Sequence, residues 1–217
     1  LLNDPDARDL LATLSELGAV AFVRGQAVRQ DGFGYSALAD VCIHHRDVGS
    51  PWSGLDVVLT ELPKIQGEYA DGLEGLEGAM AAADTLHAET RKLQFPDVLP
   101  RLAERFGADR LVFGSQYPTA SLGAAVANVA LSGLSASQRR QVAAGNLLDL
   151  LHRPSAEPAP NDAAPVRGFP WFSDGLVDLH GHVRVDPDEE GYPDPATIVE
   201  QLDRTGIALT CVSDIWN

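Results

Sequence analysis

The chain has 217 residues, short of the roughly 250 that a complete (β/α)8 barrel ordinarily takes. Apolar residues make up 45% and charged residues 22%, enough to build a core, which excludes disorder over the whole length. Sixteen Lys and Arg against 31 Asp and Glu leave a formal charge of −15, and such a surface repels phosphate backbones and anionic lipid, so neither nucleic acid nor a membrane is an expected partner.

In chain order, Asp4 and Pro5 supply an N-cap and a first-turn proline, and Leu10, Leu11, Leu14 and Leu17 recur at helical spacing up to Gly18. Ala19 to Val23 reads as a buried strand, Tyr35 to Cys42 as a short helix, and Leu55 to Leu62 as the next strand. Asp71 to Glu77 reads as an acidic, Gly-rich loop without calcium-loop spacing, and Ala79 to Ala83 as either strand or helix. Asp97 to Phe106 is a helix with Val98, Leu99, Leu102, Ala103 and Phe106 inward and Gly107 past its end. Arg110 to Gly114 is a short strand, Leu122 to Leu131 a helix, and Ser135 with Gln138 a capping-box signature for another.

Five of the fourteen prolines fall between Pro154 and Pro170, where fixed φ and missing donors predict an extended linker. It separates residues 1–153 from residues 171–217. Beyond it, Leu176 to His180 is an apolar strand, Asp194-Pro195 opens a helix with Ile198, Val199 and Leu202 inward, and Gly206 closes it before a strand from Ile207 to Val212. Helices alternating with short apolar strands predict a parallel α/β architecture. Leu1 to Pro5 carries neither an initiator Met nor a signal-peptide pattern, and the last strand runs straight to the end, so the chain reads as a piece of a longer frame. Two cysteines, Cys42 and Cys211, fit no C-x-x-C pair or disulfide framework, and a reducing, cytoplasmic setting is the default expectation.

The strongest chemical signal is Val177-Asp178-Leu179-His180-Gly181-His182. Side chains alternate along a strand, so Asp178, His180 and His182 are expected on one face, with Gly181 clearing space between two imidazoles that can chelate one divalent ion. Other polar groups are weaker candidates. His44, His45, Arg46 and Asp47 read as a solvated loop, His87 near Asp84 and Glu89 as facing a cleft or water, and Trp52, Trp171 and Trp216 as packing anchors.

Val177 to His182 resembles the first-strand H-x-H motif of the amidohydrolase superfamily. Arg110-Leu111-Val112-Phe113-Gly114-Ser115-Gln116-Tyr117-Pro118 resembles its eighth strand, R-hydrophobic-x-F-G-S-D-Y-P, and Gly145 to Leu151 resembles its closing G-N-x-x-x-L-L helix. Leu202 to Ile207 resembles the helix leading into its second strand. The resemblance implies a (β/α)8 barrel of TIM type, here as partial barrels, with a divalent metal, zinc first among the expectations, held by His180 and His182. It also implies hydrolysis of an amide, ester or lactone carbonyl of a small-molecule substrate, or a related decarboxylation, and is compatible with a homo-oligomer.

The eighth-strand motif precedes the first-strand motif, the reverse of the family order. The simplest account is a tandem in which residues 1–153 end one barrel and residues 171–217 begin another; the rival is a circular permutation, still lacking the third and fourth strands. In residues 1–153 the resemblance sets Arg24 at the fifth-strand ligand position, Glu61 at the sixth and Gln116 at the eighth-strand Asp. A guanidinium repels a cation and a neutral amide takes no proton, so this segment is expected to be inactive alone, with only Glu61 able to ligate. Two imidazoles leave half a tetrahedral shell unfilled, so weak zinc binding by this chain is expected. The alternative is a non-catalytic barrel domain with a degenerate metal site, serving packing or ligand binding.

Overall fold

A computed structural model describes residues 5–25, 38–39, 55–62, 70–94, 97–152, 176–183, 195–205 and 207–214. The chain divides into two compact units, Leu1–Leu111 and Val112–Asn217. The linker expected at 154–170, the cluster at 44–47 and the three tryptophans lie outside the described residues. Of the helix expected from Tyr35 to Cys42, Leu38 and Ala39 are described, and both are helical and buried.

The first unit opens with α1 (Pro5–Glu16) and turns at Gly18, whose φ of 61° suits a residue without Cβ. Leu11 is buried, but Leu10 and Leu17 are exposed. Leu10 lies on the outer side of the helix and Leu17 in the turn just past its end, so the expected four-leucine stripe is split between core and solvent. Strands β1 (Val20–Arg24), β2 (Asp56–Thr60) and β3 (Leu86–Glu89) pair in parallel, Arg24 level with Thr60 and Leu59 level with Ala88. The sheet order is β1-β2-β3-β4, and the passage from one unit to the next falls within β4 (Leu111–Val112). Gly25 packs closely: a Cβ there would lie 3.2 Å from Leu62 Cα and 3.3 Å from the Thr60 carbonyl, tighter than ordinary contact.

The segment read as an acidic loop is instead helical, within α2 (Ala70–Ala82), which also absorbs most of Ala79 to Ala83. Its Glu77 is buried, and its carboxylate receives Arg101 and Arg105 from α3 (Val98–Phe106) at 2.7 and 2.6 Å. Pairing to two guanidiniums is what permits an acid on the inner side of a helix. Helix α3 buries Val98, Leu99, Leu102 and Ala103 as expected and ends at Gly107, with φ 96°.

Arg110 ties this unit together from within. Its buried guanidinium donates to the Leu86 carbonyl from Nε at 2.7 Å, and from Nη2 to the carbonyls of Ala83 and Leu86. The fork thereby satisfies acceptors where the chain leaves α2 and enters β3. Arg110 thus has a structural role independent of any reaction.

In the second unit, Ser121 caps α4 (Leu122–Ala130), and Ser135 with Gln138 forms the expected capping box at α5 (Ala136–Arg140). A π-helical turn, Gln141–Gly145, joins α5 to α6 (Asn146–Leu150). Asn146 N–H bonds back to the Gln141 carbonyl, so the Val142 carbonyl is released and accepts from Phe113 N–H at 3.0 Å. The turn that leads into α6 is thus hydrogen-bonded to Phe113 through an intrahelical acceptor set free by one wide turn.

Strands β5 (Leu176–Val183) and β6 (Ile207–Asp214) pair in parallel on either side of α7 (Pro195–Thr205). Ile198 is buried on α7, whereas Val199, expected inward, is exposed. The two stand about 100° apart on the helix, so Val199 falls at the edge of the face that Ile198 buries. Fold class is therefore mixed α/β with parallel sheets of four and two strands. No helix of the described residues is long and apolar enough to cross a membrane.

Candidate functional site

In the first unit the carboxyl ends of three parallel strands bring Arg24, Glu61 and Glu89 together. Register dictates this, because Arg24 pairs with Thr60, and Leu59 with Ala88, leaving Glu61 and Glu89 one residue beyond. Arg24 donates to Glu61 Oε2 from Nε at 2.9 Å and Nη2 at 2.7 Å. Glu61 turns out of the sheet at φ 46°, and its N–H donates to Glu89 Oε2 at 2.8 Å. Glu89 is fully buried. The carboxylate at the expected sixth-strand position is thus neutralised by the guanidinium at the expected fifth-strand position.

Sequence reasoning names Glu89 only as a neighbour of His87 and misses its strand and its bond to Glu61. In Leu86-His87-Ala88-Glu89 the polar residues alternate with apolar ones and suggest a half-exposed segment, yet all four are buried. His87 faces neither cleft nor water: Nε2 lies 3.2 Å from Asp56 Oδ1 and Nδ1 lies 3.3 Å from the Asp109 carbonyl. Both neighbours are acceptors, which reads as a packing role.

The second unit holds the other expected residues. Segment Phe113–Tyr117 runs parallel to β5: Leu179 N–H donates to the Phe113 carbonyl at 3.0 Å, Gln116 N–H donates to the His180 carbonyl at 2.6 Å, and Tyr117 bridges Gly181. His180 and Gln116 are both buried. Gln116 is held at φ 55°, its carbonyl accepting from Thr119 Oγ1 and Ala120 N–H. This conformation is uncommon for a non-glycine residue. His182 lies on β5 beside Ser213 of β6, with its side chain outside the described residues.

Asp178 is level with Thr210 of β6, the register shifts between Asp178 and Gly181, and Asp178 Oδ1 accepts from His180 N–H at 3.0 Å, a local i to i+2 bond. The fully buried carboxylate accepts from Ser115 N–H at 2.8 Å and from the Ser115 hydroxyl. Ser115 Oγ in turn accepts from Tyr117 N–H at 2.9 Å, so this buried hydroxyl is a structural tie rather than a nucleophile.

Gly181 also has a different reason from the one expected. A Cβ there would sit 2.8 Å from Thr210 Oγ1, so its absence lets β6 approach β5. Thr210 Oγ1 is buried without a hydrogen-bond partner. Burial, with the Asp178 charge adding to it, pushes the Cys211 thiol up, so it is a poor nucleophile and a poor soft ligand at neutral pH. Burial likewise raises the Tyr117 hydroxyl, which donates to Gln201 of α7.

Among the described residues no group of three or more His, Cys, Asp and Glu stands ready to hold a metal ion. His180 and His182 have the spacing of a chelating pair, while the Asp178 carboxylate is engaged by Ser115 and by backbone. Comparison with protein-family models, with curated proteins and with solved structures gives no match.

Proposed function

We propose that this chain carries part of a metal-dependent hydrolase of the amidohydrolase type, acting on a small-molecule amide, ester or lactone or in a related decarboxylation. The single observation that supports the reading is the parallel hydrogen bonding of Phe113–Tyr117 to Leu179–Gly181, since first and eighth strands are neighbours in a closed barrel. The same pairing favours the permuted arrangement, in which both motifs serve one sheet, over the tandem that would separate them. His180 and His182 would hold the metal, zinc first among the candidates, which when bound would polarise a carbonyl or a water. Tyr117, tied to Gln201, borders the same strand ends.

A second reading has its own observation. Arg24 occupies Glu61, and Gln116 offers an amide in place of a carboxylate, which favours a barrel-type domain that binds or packs without catalysis. One experiment separates them: titrate the full chain with zinc by calorimetry and assay it with zinc against an ester and lactone panel. A stoichiometric site lost in His180→Ala, with metal-dependent turnover, is the hydrolase outcome. Absence of both is the outcome of the second reading.

A further inference from the structure

Asp178 belongs to the strand that carries His180, and Ser115 to the segment that carries Gln116; two hydrogen bonds join them directly. Ser115 N–H reaches Asp178 Oδ1 at 2.8 Å, its hydroxyl reaches Oδ2, and Oδ1 also accepts His180 N–H at 3.0 Å. One residue further along, Gln116 N–H meets the His180 carbonyl at 2.6 Å. Asp178 and Ser115 are fully buried. A carboxylate withdrawn from water is tolerable only when its oxygens are satisfied, and three donors from two segments do so at once. A carboxylate so engaged is a poor choice for an additional metal ligand, and a hydroxyl so engaged is a poor nucleophile.

We propose that Ser115 and Asp178 are a positioning pair that fixes where His180 stands relative to Gln116. Neither touches a reacting atom. The pair acts through His180: Oδ1 fixes its N–H, and the Ser115 segment fixes its carbonyl through Gln116. Only the stated consequence for metal binding rests on the hydrolase reading; the coupling between the strands does not.

The test uses the full chain with Ser115→Ala, Ser115→Thr and Asp178→Asn. Amide hydrogen exchange is followed by NMR at Gln116 and His180, with Val126 and Val129 of α4 as references for global opening. Ser115→Ala is expected to speed exchange at His180 about tenfold or more while the references stay near their original rates, and Ser115→Thr, which keeps the hydroxyl, is expected to restore protection. Because Ser115 makes no direct bond to His180 N–H, that change reports coupling between the strands. Cobalt(II) absorption then reads the imidazole site, and Ser115→Ala and Asp178→Asn are each expected to weaken it about 10- to 100-fold, the usual cost of losing groups that orient ligands. Unchanged His180 exchange in Ser115→Ala, or acceleration matched by the α4 references, overturns the proposal. If Asp178→Asn does not fold, the Ser115 variants decide it. If the unaltered chain takes up no cobalt, the hydrolase reading falls while the exchange result still decides the pair.

Discussion

Arg24 and Glu61 are each other's partners: two guanidinium nitrogens converge on a single carboxylate oxygen, Nε at 2.9 Å and Nη2 at 2.7 Å. The arginine side chain is 66% exposed, so solvent screens most of the attraction. Arg24→Ala is expected to cost less than about 1 kcal/mol in urea unfolding, and the loss should shrink further at high salt. A loss of several kcal/mol, insensitive to salt, would mean that the pair is structurally essential.

Arg110 is the opposite case, a guanidinium buried among backbone acceptors at Ala83 and Leu86. Arg110→Ala removes their buried charged donor and opens space, and is expected to cost about 3 kcal/mol or more. Arg110→Lys retains the charge but not the fork, and should fall between. Thermal unfolding of the three proteins gives the order; a lysine variant as stable as the parent contradicts it.

The Cys211 thiol is pushed up by burial and by Asp178. The unfolded chain therefore surrenders this proton at lower pH than the folded chain, and deprotonation favours unfolding. The stabilising contribution is complete below the ordinary thiol value, about 8.5, and is lost as pH rises through the higher folded value. Urea midpoints measured from pH 7 to 10 should fall more steeply for the parent than for Cys211→Ala. Tyr117, also raised by burial, acts in the same direction only above the ordinary tyrosine value of about 10. Parallel pH profiles for the two proteins would contradict the assignment.

Gly181 and Thr210 should couple. Gly181→Ala forces Cβ against Thr210 Oγ1 and is expected to cost about 1–3 kcal/mol. Adding Thr210→Ala removes both the obstacle and an unpartnered buried hydroxyl, so the double variant should recover most of the loss. Additive losses in a double-mutant cycle would place the strain elsewhere.

Local signals are legible where the physics is local. Ser135 and Gln138 mark a helix start, Gly107 marks a helix end, and the apolar runs mark β1, β2, β5 and β6. What escapes is set by neighbours distant in the chain. Strand β3 is hidden because His87 finds Asp56 and Asp109, and Glu89 finds Glu61 N–H, partners that no window of residues discloses. Alternation along β5 likewise does not disclose that the Asp178 carboxylate is engaged by His180 N–H and by Ser115, which lies far away in the chain. The pairing of Phe113–Tyr117 with β5 needs the two motifs to meet across the proline-rich stretch, and sequence order alone argues for keeping them apart.

The wide turn at Gln141–Gly145 makes residue count, rather than residue type, the critical property of that helix. The widened turn absorbs one extra residue, so removing one from it would restore regular α pitch and leave the later residues close to their present phase. Leu147 and Leu148 would stay on their present face, but the Val142 carbonyl would be drawn back from Phe113 into the helix. The extra residue works like an expansion joint: a deletion there would keep the facing of α6 and cost the bond to Phe113.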